Sequence, residues 1–317
     1  MRKTLNKTRV EGRIYDHSLE LKTVQNTESK NYGKEYIGGS IDVATDDDCL
    51  NIVQVNFTYV TETTAKGNKN NTYTALKNII ENGKTVLTDG AESATMVRID
   101  TALGLNDFYT NRNGEEVLVS AKRNEGGFVT IINALGDADS RNTFEFDMLV
   151  NGTRYVEADE EKNIPADYLI VKGAVFAFNG RILPVELVVK SAGGIKYFDS
   201  LEASPQNLVF TKVWGKINCE TIVRKVEEES AFGEPSVKEY SRTIREWVIT
   251  GTSKPDSVYE IGDAENGITT EEIQKAMADR EVYLADIKKR ADEWRASQDN
   301  AIPATQPATA AAGSFNF

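Results

Sequence analysis

The chain has 317 residues, 40% of them hydrophobic and 27% charged, and a formal net charge of −12. This is globular composition with room for two domains, and it excludes a disordered or fibrous chain. No apolar run approaches the roughly 20 residues that span a bilayer. The basic start MRKTLNKTRVEGRI has no apolar stretch to make it a secretory signal. A cytoplasmic protein without a membrane association is expected.

Catalytic chemistry has little to work with. The single histidine, His17, leaves no partner set for Ser-His-Asp or Cys-His catalysis and no multi-histidine metal site. Cys49 and Cys219 match no metal spacing. The glycines in AFNGR and SAGGIK lack the spacing of a phosphate-binding loop. No enzyme, cofactor or metal is expected. Charge is unevenly spread: residues 1–40 hold eight Lys/Arg against five Asp/Glu, while residues 256–299 hold twelve acidic against six basic residues. A basic body beside an acidic C-terminal region is compatible with nucleic acid despite the negative total.

The first elements alternate as strands do. TRVEGRIYD (8–16) puts Val10, Gly12 and Ile14 inward and Arg9, Glu11, Arg13 and Tyr15 outward. KEYIGGSIDVAT (34–45) follows, its Gly38-Gly39 pair marking a bulge or bend. NIVQVNFTYV (51–60) places Val53, Val55 and Phe57 inward. The period then becomes helical in TYTALKNIIENG (72–83), with Gly83 as the stop. Strands resume at 95–104, 115–122 and 127–132. Three strands, a helix and further strands is the order of an OB-fold, a five-stranded Greek-key barrel with a helix between strands 3 and 4.

The order repeats. TFEFDMLVNG (143–152) opens a second round, and residues 167–190 form a hairpin turning at Asn179-Gly180. A short helix around 196–203 leads to LVFTKVWGKI (208–217) and YSRTIREWVITG (240–251). A helix over 269–298 then carries Thr270 as its N-cap, and an Ala/Pro/Thr-rich flexible tail ends in Phe315 and Phe317. The expected organisation is mainly β: one OB-like barrel over 1–135, a second over 140–252, a linker and C-terminal α-helix over 253–298, and a flexible tail over 299–317.

The outward faces carry the functional signal. Single-stranded nucleic acid needs cations for phosphates and flat side chains for base stacking. Strands 1–3 turn out Arg9, Arg13, Tyr15, Tyr36, Gln54 and Asn56, on the side where OB-folds bind ligands. Tyr109, Arg112, Lys122 and Arg123 follow at 109–127, and the second barrel offers Lys212, Trp214 and Lys216, with Arg242, Arg245 and Trp247 on the next strand. The plainer reading of Trp214 is packing beneath the C-terminal helix or against the other barrel.

Through RVEGRIYD, KEYIGGSIDV, NIVQVNFTYV, FTKVWGKI and REWVITG, followed by an acidic helical region and a tail ending in an aromatic residue, the chain resembles the single-stranded DNA-binding proteins of bacteriophages and bacteria. The resemblance implies a protein that coats exposed strands in DNA replication and recombination. It also implies recruitment of replication proteins through the C-terminal region, here Phe315 and Phe317, and is compatible with an oligomer. One departure is the tail itself, PATQPATAAAGSFNF, which carries no charge where family tails are acidic. Two other classes stay open: a phage virion or assembly protein built from β-barrels, and a protein-interaction accessory module.

Overall fold

In a computed structural model the described residues are 4–159, 164, 166–228, 236–254, 259–263, 265 and 267–301; the side chains of 220, of the strand segments 221–228 and 236–242, and of the last helical residues 298–301 are outside that description. The chain is mainly β with a C-terminal helix.

Five strands build the first barrel: β1 (Asn6–His17), β3 (Glu35–Ala44), β4 (Ile52–Thr61), β5 (Met96–Arg112) and β6 (Glu115–Ile132). They pair in a ring, β1-β3-β4-β6-β5 and back to β1. Every pairing is antiparallel except β4 with β6, which is parallel at Val55↔Asn124. This is the OB ring, with helix α1 (Asn71–Asn82) between the third and fourth strands. Asn70 caps α1 by accepting from the Thr72 amide, and Leu76 and Ile79 seal the barrel. Short elements β2 (Glu20–Thr23) and α2 (Val86–Asp89) complete this half. The Gly38-Gly39 pair does mark a bulge: the β3–β4 register shifts between Ile37 and Gly39. Gly39 has φ +130°, and a Cβ there would lie 2.2 Å from the Ser18 carbonyl oxygen, so only glycine fits.

The second ring has the same order: β7 (Asn142–Val156), β8 (Tyr168–Phe176), β9 (Ile182–Val189), β11 (Ser236–Thr252), β10 (Val209–Glu228) and back to β7. Again the one parallel pairing joins third and fifth strands, at Val248↔Val188. Helix α3 (Ala192–Ser200) sits between third and fourth. The expected hairpin turn is there, with Gly180 at φ +81°.

The rings are joined edge to edge. β1 pairs antiparallel with β7 from Asn6↔Phe146 to Val10↔Asn142, and the two interiors form one continuous apolar cluster. The linker 133–141 is tied down by Glu11, which accepts from Arg98 at 2.6 Å and from the Gly136 amide. Glu11 was expected outward; it is outward of the barrel but buried, because the linker crosses it. Burial raises its pKa, and the Arg98 and Gly136 hydrogen bonds with the charges of Arg98 and Arg141 more than offset this, leaving it below the ordinary 4.5.

Helix α4 (Thr270–Ala301) starts one residue after its cap: Thr269, not Thr270, receives the Glu272 amide, while the Glu272 carboxylate accepts the Thr269 amide. The helix lies on the second barrel. Ile268, Ile273 and Ala276 pack with Leu149, Ala174, Phe176, Ile182 and Phe210. Arg280 is buried with its guanidinium 2.8 Å from Asp107 of β5 and 3.3 Å from Ser120 of β6. The helix is therefore fastened to both barrels. Among the described residues no helix is long and apolar enough to cross a membrane, and no group of three or more His, Cys, Asp or Glu is placed to hold a metal ion.

Candidate nucleic-acid interface

The fourth and fifth strands of each ring are much longer than the ring needs. β10 and β11 run on as a two-stranded arm past the second barrel and across the face of the first. Asn51 holds the arm in place: its Oδ1 accepts from the Cys219 amide at 2.7 Å and its Nδ2 donates to the Ile217 carbonyl at 3.4 Å. Between arm and barrel lies a cleft of about 440 Å³, within the range of ligand sites.

The first barrel lines it with Tyr15, Asp42, Gln54, Asn56 and residues 121–124. The arm lines it with residues 217–219, Thr243, Arg245 and Trp247. Seven residues expected to meet nucleic acid thus converge from two barrels: Tyr15, Gln54, Asn56, Lys122, Arg123, Arg245 and Trp247. Gln54 donates to Asp42 at 2.8 Å, and its carbonyl accepts from Asn124 at 3.1 Å, which fixes the amide row of the floor. Arg123 pairs with Glu125. Arg245 is exposed and makes no ion pair with the described residues. Lys122 donates to the Glu186 carbonyl on the second barrel. Burial pushes its ammonium below the ordinary pKa, partly opposed by the carboxylates of Glu186 and Glu246.

Trp247 is a correction. It was expected outward, but it is 5% exposed, with its ring 5.6 Å from Phe144 and 5.8 Å from Phe146. It and Arg245 share one row of β11. That row passes from core to cleft where the strand leaves the barrel.

Other expected contacts lie elsewhere. Lys212, Trp214 and Lys216 occupy the opposite face of β10, on an outer sheet continuous with Arg9 of β1. Charges there are mostly paired: Arg9 with Asp100 at 2.9 Å, Lys212 with Glu145, Lys216 with Asp139 at 3.0 Å. Trp214 is 40% exposed. Its indole rests on Gly251, where an added Cβ would lie 2.4 Å from the ring. Neither the helix nor the other barrel covers it; the helical region covers its neighbour Phe210, 5.5 Å from Tyr259. Arg13 reaches Asp47 at 3.5 Å, which the closer Arg141 hydrogen bond chiefly holds below its ordinary pKa. Tyr36 packs on Tyr59, their rings 4.7 Å apart. Tyr109 lies under Lys288 of α4, 5.8 Å away, and Arg112 ends β5 at the exposed hairpin tip. The side chain of Arg242, and Phe315 and Phe317 entirely, lie outside the described residues.

Sequence reasoning missed Asp42, Asn51 and Asn124. Asp42 was findable, since it stands opposite Gln54 in the β3–β4 ladder. Asn51 and Asn124 act through contacts between elements, which no local pattern announces.

Comparison with known proteins gives one family. A family model described as YorF matches residues 4–290, which span both barrels and most of α4. No curated protein matches the chain. Among solved structures, the wild-type single-stranded DNA binding protein from Thermus aquaticus aligns over 83% of this chain and 97% of its own, at 8% identity and a TM-score of 0.46. A deletion mutant of that protein aligns over 82% and 98%, at 9% identity and the same score. Likeness at that level does not bear on function.

Proposed function

We propose that this chain, which belongs to the YorF family, binds single-stranded DNA in the cleft between its barrels. The observation that carries the reading is convergence: Lys122, Arg123 and Arg245 supply positive charge, and Tyr15, Gln54 and Asn56 supply a flat ring and amides, all around one open cavity. Cations meet phosphates, while the ring and amides meet bases, which is what sequence-tolerant strand binding requires. The cleft is walled by both barrels, so the two act as one binding unit. The role that fits is coating exposed strands in replication or recombination.

The test is fluorescence anisotropy with a labelled oligothymidylate over a salt series. Affinity should fall with salt at a log–log slope of about −0.7 per phosphate contacted, and Arg245→Ala should weaken it. Absence of binding at low salt would remove the proposal.

The outer sheet supports a second reading for that surface. Its paired charges leave little for phosphates, whereas the exposed rings of Trp214 and Phe128 suit a protein partner. Capture of the oligonucleotide by Trp214→Ala as well as by the unaltered chain is expected.

A further inference from the structure

Lys122 lines more than the cleft. It also walls a second open chamber, again of about 440 Å³, with Asn151 of β7, Lys172 of β8 and Glu186 of β9. Lys122 belongs to both walls. Its Nζ rests on the second barrel, through the Glu186 carbonyl, while its backbone belongs to the first.

The second chamber uses what α4 leaves free. Along the β8–β9 ladder, Phe176↔Ile182 and Ala174↔Pro184 come first, then Lys172↔Glu186. Phe176, Ala174 and Ile182 are under the helical region. Lys172 and Glu186 are the next outward pair, and they stand open. Their contact is 3.6 Å long, with side chains 44% and 54% exposed, a weak tether that an incoming phosphate can displace. Asn151 is exposed beside them and brings an amide.

We propose that a single strand held in the inter-barrel cleft continues past Lys122 into this second chamber, where Lys172 takes a backbone phosphate and Asn151 hydrogen-bonds the same nucleotide. The inference rests on the reading of the cleft given above. Lys122 is then the shared cation of two consecutive segments of strand. Its desolvated ammonium gains from a phosphate on either side. Glu186 is the local competitor for Lys172 and limits how tightly the chamber holds.

The experiment compares labelled oligothymidylates of about 4 and about 16 nucleotides, the range one OB barrel occupies, by anisotropy at low salt. Lys172→Ala should weaken the long oligonucleotide several-fold, lower its salt slope by about 0.7, and leave the short one unchanged. Glu186→Gln should tighten the long one alone. Arg245→Ala should weaken both. Lys172 is at the surface, so an unchanged melting temperature confirms that the variant is folded. If both lengths bind but neither Lys172→Ala nor Glu186→Gln alters the long one, the second chamber is not part of the path and the cleft reading stands. If neither length binds, both readings fall together.

Discussion

On the first barrel, β3 and β4 turn Tyr36, Ser40, Asp42, Gln54 and Asn56 outward, and Asp42, Gln54 and Asn56 line the cleft. On the second, β8 and β9 hold the same two places in the same ring. They turn out Ala174, Phe176 and Ile182, and α4 lies on them. Topology is common to both; the outward residues decide what becomes of the face. A polar row tolerates water or a polar ligand. An apolar row loses about 1.5–3 kcal/mol for each large side chain left in water, so it takes a cover. The chain provides the cover from its own C-terminal region, and the uncovered remainder of the face begins where the row turns charged, at Lys172 and Glu186.

The sharpest way to break this contrast is to unfasten the helix. Arg280→Ala leaves the Asp107 carboxylate buried without its partner and should cost about 3–5 kcal/mol in urea unfolding. Replacing both, Arg280→Met with Asp107→Leu, should recover most of it. A loss near zero for the single change would mean that α4 is an appendage rather than part of the fold. Next in size, Ile273→Ala on the covered face should cost about 2–4 kcal/mol, whereas Gln54→Ala on the open face should stay within about 0.5 kcal/mol. Equal costs would erase the distinction between the faces.

A smaller effect is confined to acid. Glu11 is held below its ordinary 4.5 in the folded chain, so it binds protons more readily when unfolded. Its contribution is present above pH 4.5 and is lost as pH falls through the lower folded value. Unfolding followed between pH 6 and 3 should show less acid sensitivity in Glu11→Gln, set against a lower stability at neutral pH. The smallest expected change is that of Trp214→Ala on oligonucleotide affinity, which should be none. A loss of about 1–3 kcal/mol would mark a base stacked on that ring and move the contact surface to the outer sheet.

Much of the architecture was legible because ring order is written in local signals. Alternation in 8–16, 34–45 and 51–60, the change of period at 72–83, and Asn179-Gly180 each report one element and its turn. The helix after each third strand then fixes the barrel type. What was not legible is what crosses between elements. The β1–β7 pairing leaves no mark on periodicity. Phe210 shares the outward row of Lys212 and Trp214, but its cover comes from Tyr259, Ile268, Ile273 and Ala276, far along the chain. Glu11 obeys the alternation and is buried by a linker. The site was half visible for the same reason. Tyr15, Gln54 and Asn56 follow from parity on one barrel. That Arg245 faces them from another barrel depends on how far the β10–β11 arm extends, and an arm alternates alike whatever it leans on.

The closure of both rings has a consequence for how these molecules meet one another. Among the described residues, every strand but β2 has a partner on each side within its ring, while beyond the rings β5 pairs only with β6 and β10 only with β11. β2 bonds β3 alone, is four residues long, and exposes Glu20, Leu21, Lys22 and Thr23. Unsatisfied backbone edges are what let sheets add neighbours and grow into fibres. Here ring closure removes such edges from the barrels, and what stays open among the described residues is the short, charged β2 and the outer edges of the β5–β6 and β10–β11 extensions. Backbone pairing between copies is thereby confined to β2 and the two extensions, and everywhere else contacts between copies must be made by side-chain faces, which mutation can tune.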